Sequence, residues 1–205
     1  MVVGVFIMGM GIAISKLALL GTTPISTIPA VMSYATDLTI GTWTIIINVF
    51  LILIIFLIRG RKFFSPLVVL QMAVAILLGL FTDLGVEIFK GVINTDFYPM
   101  QWVFCVLACV VLSFGVTIAV STETLVAPGD GVVIAVTMRY PKWTFSRFKV
   151  IFDSTNVILA AVISLALMGG FYGVREGTVF AAVAVGLMVG FWKKHITAGL
   201  NRIFE

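Results

Sequence analysis

Long apolar stretches separated by short polar breaks run along the whole chain. Runs at 2–20, 42–58, 66–88, 101–120, 149–169 and 176–192 carry few charges, and each approaches or reaches the roughly 17–25 residues that a helix needs to cross about 30 Å of hydrocarbon. The pattern predicts an all-α polytopic membrane protein with six transmembrane helices. Between the first and second spans lies "GTTPISTIPAVMSYATDLTIG", too short and polar for another crossing and too apolar for an ordinary loop. Thr22 and Thr23 are good N-caps and Pro24 suits a first helical position, so a short helix is expected to start there.

The same arrangement returns past the middle. "FIMGMGIAISKLALLGTTPISTIPAVMS" is weakly repeated by "VLSFGVTIAVSTETLVAPGDGVVIAVT", and laying Gly11 on Gly115 also lays Pro24 on Pro128. Each half then reads as one span, a short proline-started helix and two more spans. An odd number of crossings separates the copies, so they are expected to be inverted three-helix repeats, with a site built between them as in many transporters. Repeat one covers 1–90 and repeat two 101–194 of a single membrane domain, 1–205, with 195–205 as a cytoplasmic tail. The stretch from Lys193 suits a short amphipathic helix on the inner leaflet. Pro141 is expected to end the second short helix.

Composition agrees: 61% hydrophobic and 11% charged residues, with mean hydropathy +1.20, leave too little polar surface for a soluble domain. The glycine-rich first run lacks a basic front and a small-residue cleavage site, so it reads as mature structure rather than a secretory leader. The net charge of +4 does not point to nucleic acid, because the basic residues are dispersed between spans. Arg59, Arg61, Lys62, Arg139, Lys142, Arg147, Lys149, Lys193, Lys194 and Arg202 fall on one side if both termini are cytoplasmic, which follows the positive-inside tendency. Trp43, Trp102, Trp143 and Trp192 lie near span ends, where amphipathic rings favour the interface. Cys105 and Cys109 are one turn apart without His or further Cys nearby, so they suit packing rather than a metal site.

Six stretches in order, "GTTP" at 21–24, "IGTW" at 40–43, "GLFTDL" at 79–84, "APGDG" at 127–131, "SRFKVIFD" at 146–153 and "GVREGTVFAAVAVG" at 173–186, resemble the YczE family of bacterial membrane proteins, with YitT proteins as more distant relatives. Where that family usually shows "GPRDG", this chain has Ala127-Pro128-Gly129-Asp130-Gly131. The resemblance implies six helices in a bacterial inner membrane and no established chemistry.

The proline segments are the best candidates for substrate contact. The first N–H groups of each short helix lack intrahelical partners and sit at the positive end of its dipole, which suits an anionic or carbonyl-bearing ligand. Thr22, Thr23, Pro24 and Ser26 line the first segment; Pro128, Gly129, Asp130 and Gly131 line the second, where glycine permits close approach and Asp130 favours a cation or a donor. The bland alternative is a pair of interfacial helices with ordinary caps.

Ionisable groups within spans are expensive and need partners or water. Asp83 and Glu87 share a face near the outer end of the third span, with Lys16 as a candidate partner; an exposed ion pair is the competing reading. Asp153 follows Lys149 by one turn and Asn156 continues to the same side. With Glu123, Asp130 and Arg147 nearby they would form a polar relay, or a salt-bridge cluster holding the inner end together. In the inverted alignment Asn48 falls within one residue of Asp153. Gln71 and Thr82 share a stripe for which interhelical hydrogen bonds are the default role.

No nucleotide-binding, nucleophile-elbow or HExxH motif occurs, and the sole histidine, His195, lies beyond the last span. The expectation is a non-enzymatic small secondary transporter or permease for a small organic solute, without cofactor or metal, whose partners are the lipid bilayer and an unknown small-molecule ligand. Glycine-rich faces also suit a homodimer. The alternatives are a substrate-binding subunit of a vitamin-type importer and a non-transporting scaffold for a biosynthetic complex.

Overall fold

The computed structural model describes residues 2–60, 66–93, 95, 97–121, 127–143 and 145–204. Among them are eight helices and no strand: α1 (Val2–Leu17), α2 (Thr27–Ala35), α3 (Ile40–Arg59), α4 (Pro66–Phe89), α5 (Tyr98–Ser121), α6 (Pro128–Arg139), α7 (Phe145–Met168) and α8 (Glu176–Phe204). Ile40–Arg59, Leu70–Phe89, Tyr98–Ala119 and Phe148–Met168 are long and apolar enough to cross a membrane. The other two expected spans are shorter as apolar helices, Val2–Leu17 and Glu176–Trp192.

α1 stops short of the expected residue 20 because the chain turns sharply: Leu19 has φ 59° and Gly21 φ 101°. The first short helix also begins later than its proline. Pro24–Ser26 form a turn closed by the Ser26 N–H on the Thr23 carbonyl at 2.9 Å, and α2 starts at Thr27 with Ser26 at its N-cap. The second begins as expected, with Pro128 at its first position, and ends before Pro141 at the Tyr140 cap. α8 continues without a break to Phe204, so the tail after Lys193 extends the last helix rather than forming a separate one.

Helices this apolar on every side associate through close packing, favoured by small residues. α1 is built for this, and it is buried along most of its length. A Cβ on Gly4 would lie 2.7 Å from the Ala119 nitrogen, one on Gly115 2.6 Å from the Met8 nitrogen, and one on Gly11 2.7 Å from the Leu112 nitrogen. These pairs rise along α1 as they fall along α5, so the two helices cross antiparallel. On another face Gly9 meets Phe81 and Gly85 meets Ala13 and Met10, setting α4 parallel to α1. α5 carries α8 likewise, through Trp102–Phe180 and Phe114–Trp192. α3 packs along α4 and α6, and α7 along α2 and α6.

Candidate functional site

The two short helices meet end to end. A Cβ on Gly129, the second residue of α6, would collide with the Ile25 side chain just before α2, and Phe152 of α7 lies 3.8 Å from the same point. A Cβ on Gly131 would lie 2.9 Å from Ile55 of α3 and 3.5 Å from the Gln71 amide nitrogen of α4. From this junction α2 runs towards the α7–α8 loop, where Gly173 lies against Val31 and Tyr34. α6 runs the opposite way, to Met138 beside Arg59, whose Nη2 donates to the Met138 sulfur at 3.6 Å.

Neither helix start carries a side-chain cap. Ala127 at the N-cap of α6 has no group to offer. Ser26 has one, but its hydroxyl engages Thr23: the two side-chain oxygens are 2.6 Å apart and Ser26 also donates to the Thr23 carbonyl. The first intrahelical bonds are Ala30 N–H to the Ser26 carbonyl and Gly131 N–H to the Ala127 carbonyl. The N–H groups of Thr27, Ile28, Gly129 and Asp130 therefore precede the first closed turn, and the positive ends of two helix dipoles converge.

Thr22, Thr23, Ser26 and Thr27 are all buried. Thr27 donates to the Thr23 carbonyl at 2.8 Å, whereas the Thr22 hydroxyl and the Gln71 carbonyl oxygen have no hydrogen-bond partner. A buried polar atom left unpaired costs about 1–3 kcal/mol; among the described residues the Gln101 side-chain oxygen, away from the proline segments, shares this state, whereas most other buried hydroxyls bond their own helix. Asn48 and Asn156 sit at the middle of α3 and α7, each donating its amide to the carbonyl four residues earlier, Thr44 at 2.9 Å and Phe152 at 3.0 Å.

The structure thus brings together the two proline segments. The described members of the expected polar relay engage near partners. Asp83 turns to the start of α3, accepting from Thr39 at 2.6 Å and from the Gly41 N–H at 2.7 Å. Glu87 pairs with Lys90 on the surface, and the Lys16 ammonium lies over the Tyr34 ring, 5.4 Å from its centroid. Asp153 pairs with Lys149 at 3.0 Å, both partly buried. Glu123 lies outside the described residues, as do the side chains of Asp130 and Arg147.

Sequence reasoning missed Ile25, Ile55 and Phe152, apolar residues among many. It gave Gln71 only a default role, though a lone amide in an apolar span is a visible signal. It also missed the clamp at the other end of the α1–α2 segment. The Thr22 N–H donates to the Gly173 carbonyl at 3.3 Å, the Gly177 N–H to the Leu20 carbonyl at 2.9 Å, and Arg175 to the Leu19 carbonyl at 2.9 Å. The signal for this clamp was the glycine-flanked Arg175-Glu176 pair.

No curated protein and no solved structure matches the chain. Residues 1–194 match DUF6198, described as a family of unknown function, and the chain belongs to that family.

Proposed function

We propose that the protein is a small secondary transporter or permease of the bacterial cytoplasmic membrane, moving an organic solute that carries a carboxylate or carbonyl group. The observation that carries this reading is the contact of Ile25 with Gly129, which joins two uncapped helix starts. Broken helices whose positive ends point at an anionic substrate group are a recurrent transporter device. The same positive ends repel cations.

In this reading α1, α3, α4, α5, α7 and α8 cross the membrane as two inverted repeats. The antiparallel crossing of α1 and α5, the equivalent seating of α4 on α1 and of α8 on α5, and the opposite courses of α2 and α6 all support it. Arg59, Arg139, Lys142, Lys149 and Lys194 gather at the end where α3 and α6 finish and α7 begins, which supports a cytoplasmic position for both termini. The resemblance to YczE proteins is compatible with the family match and adds no substrate.

The test is flux in proteoliposomes, offering small carboxylates and neutral amides with and without an imposed pH gradient. Saturable uptake that disappears in Gly129→Leu, a variant still monodisperse in detergent, is expected. Absence of flux from the unmodified protein, combined with co-purification of an ATPase, would replace this reading with that of an importer's binding subunit.

A further inference from the structure

The two halves differ in one interface. α3 packs along α4, where Gly41 and Gly79 are in backbone contact and the Asp83 carboxylate holds the start of α3. Among the described residues α7 has no comparable interface with α8, and of the four long apolar helices it is the least buried. We propose that α7 is the moving gate of the transporter, and that it closes onto the face of α8 formed by Ala182, Gly186 and Gly190. The proposal rests on the transport reading and names the part that moves.

The receiving face is identified by its counterpart. Laying Gly79 of α4 on Gly186 of α8 also lays Ala75 on Ala182, Asp83 on Gly190 and Gly85 on Trp192. Gly85 lies against Met10 of α1 and Trp192 against Phe114 of α5; Met10 and Phe114 are themselves matched when Gly11 is laid on Gly115. The face that receives α3 on α4 thus has an equivalent on α8. There Ala182, Gly186 and Gly190 are exposed, and a Cβ on either glycine would meet nothing within 4 Å. Small residues four apart are what lets two helices approach closely within a membrane.

The chemistry of the two faces separates a fixed helix from a mobile one. Asp83 locks α3 by charge-assisted hydrogen bonds, whereas its counterpart on α8 is Gly190, with no carboxylate to hold α7. α7 is also joined to the candidate site: Ala160 and Ile163 pack against Ile28 and Val31 of α2, and Phe152 lies beside Gly129. Closing α7 on α8 would draw this wall away from the meeting point of α2 and α6.

The experiment is a spin-label distance measurement in lipid nanodiscs. Labels are placed at Leu159→Cys and Leu187→Cys, which are 48% and 71% exposed, in a background with Cys105→Ala and Cys109→Ala. The expected result is two distance populations, the shorter one disappearing in Gly186→Leu, a substitution that enters open space in the present arrangement and does not lower thermal stability. A single distance insensitive to Gly186→Leu overturns the proposal, as does a short distance lost on dilution with unlabelled protein, which would mark contact between copies. Flux accompanied by a single distance would remove the moving α7 and keep transport. Two distances without flux would keep the movement and remove the transport reading.

Discussion

The Asp83 carboxylate on α4 accepts the backbone N–H of Gly41 at the start of α3, at 2.7 Å. Thr39 completes the arrangement, its hydroxyl donating to the other carboxylate oxygen at 2.6 Å and its oxygen accepting the Thr42 N–H at 3.1 Å. An acidic residue in an apolar helix is thereby employed as a cap across a helix pair: the negative charge sits at the positive end of α3 and satisfies N–H groups that no helical carbonyl can reach. Gly41 and Gly79 allow this, since a Cβ at either would meet the other's carbonyl.

Replacing Asp83 by Ala is therefore expected to destabilise the protein by about 2 kcal/mol, the scale of a lost hydrogen bond to a charged group. Asp83→Asn, which retains an acceptor, should cost about half as much. Thermal unfolding in detergent, followed by tryptophan fluorescence, measures both. Equal and negligible costs would return Asp83 to the candidates for a relay.

The positions of five helices were legible in the sequence because the apolar runs at 42–58, 66–88, 101–120, 149–169 and 176–192 end at charges, prolines or glycines. The starts of α2 and α6 were legible to different degrees. Ala127-Pro128 has no competing side chain, so proline marks the first turn; at Thr22–Ser26 three hydroxyls compete for the backbone, and Thr23 and Ser26 bond one another in a turn before the helix begins. The partners of Asp83 and Glu87 were not legible, because spacing places the two on one face without revealing that Gly41 and Lys90 are nearer than Lys16. Nor could periodicity single out Ile25, whose importance comes from a glycine more than a hundred residues away.

The antiparallel crossing of α1 and α5 depends on glycine at backbone distance. Gly115→Val is expected to cost at least the roughly 1–3 kcal/mol of overpacking, because the obstructing atoms include the Met8 nitrogen and the Gly4 carbonyl, which cannot rotate aside. Gly190→Ala should do the opposite, adding helix propensity worth about 0.5–1 kcal/mol in open space. Unfolding midpoints that move in the same direction for both would contradict the assignment of the first to a tight interface and of the second to a free one.

At the clamp between the α1–α2 segment and the start of α8, Gly21 combines φ 101° with a Thr178 hydroxyl where a Cβ would stand. Gly21→Ala is expected to cost about 1–3 kcal/mol from backbone strain of this kind, with the steric conflict in addition. Arg175→Ala, which removes an exposed donor from the Leu19 carbonyl, should cost about 1 kcal/mol. A larger loss for the arginine variant than for the glycine one, in the same melting assay, would show that the charge rather than the backbone pairing holds the clamp.

The contact between the halves can be isolated by a double-mutant cycle at Ile25 and Gly129. The atom nearest a Cβ on Gly129 is the Ile25 Cδ1, which Ile25→Val deletes while leaving the rest of the side chain in place. Gly129→Ala alone is expected to cost about 1–3 kcal/mol through crowding, and Ile25→Val alone about 0.5–1.5 kcal/mol through lost packing. Combined, they should cost less than their sum by about 1 kcal/mol, a coupling of the size found for residues in direct contact, because the second change removes the atom that the first collides with. Unfolding free energies of the four proteins supply the measurement. Strict additivity would mean that Ile25 and Gly129 do not touch, and the proposed site between the starts of α2 and α6 would then lose its floor.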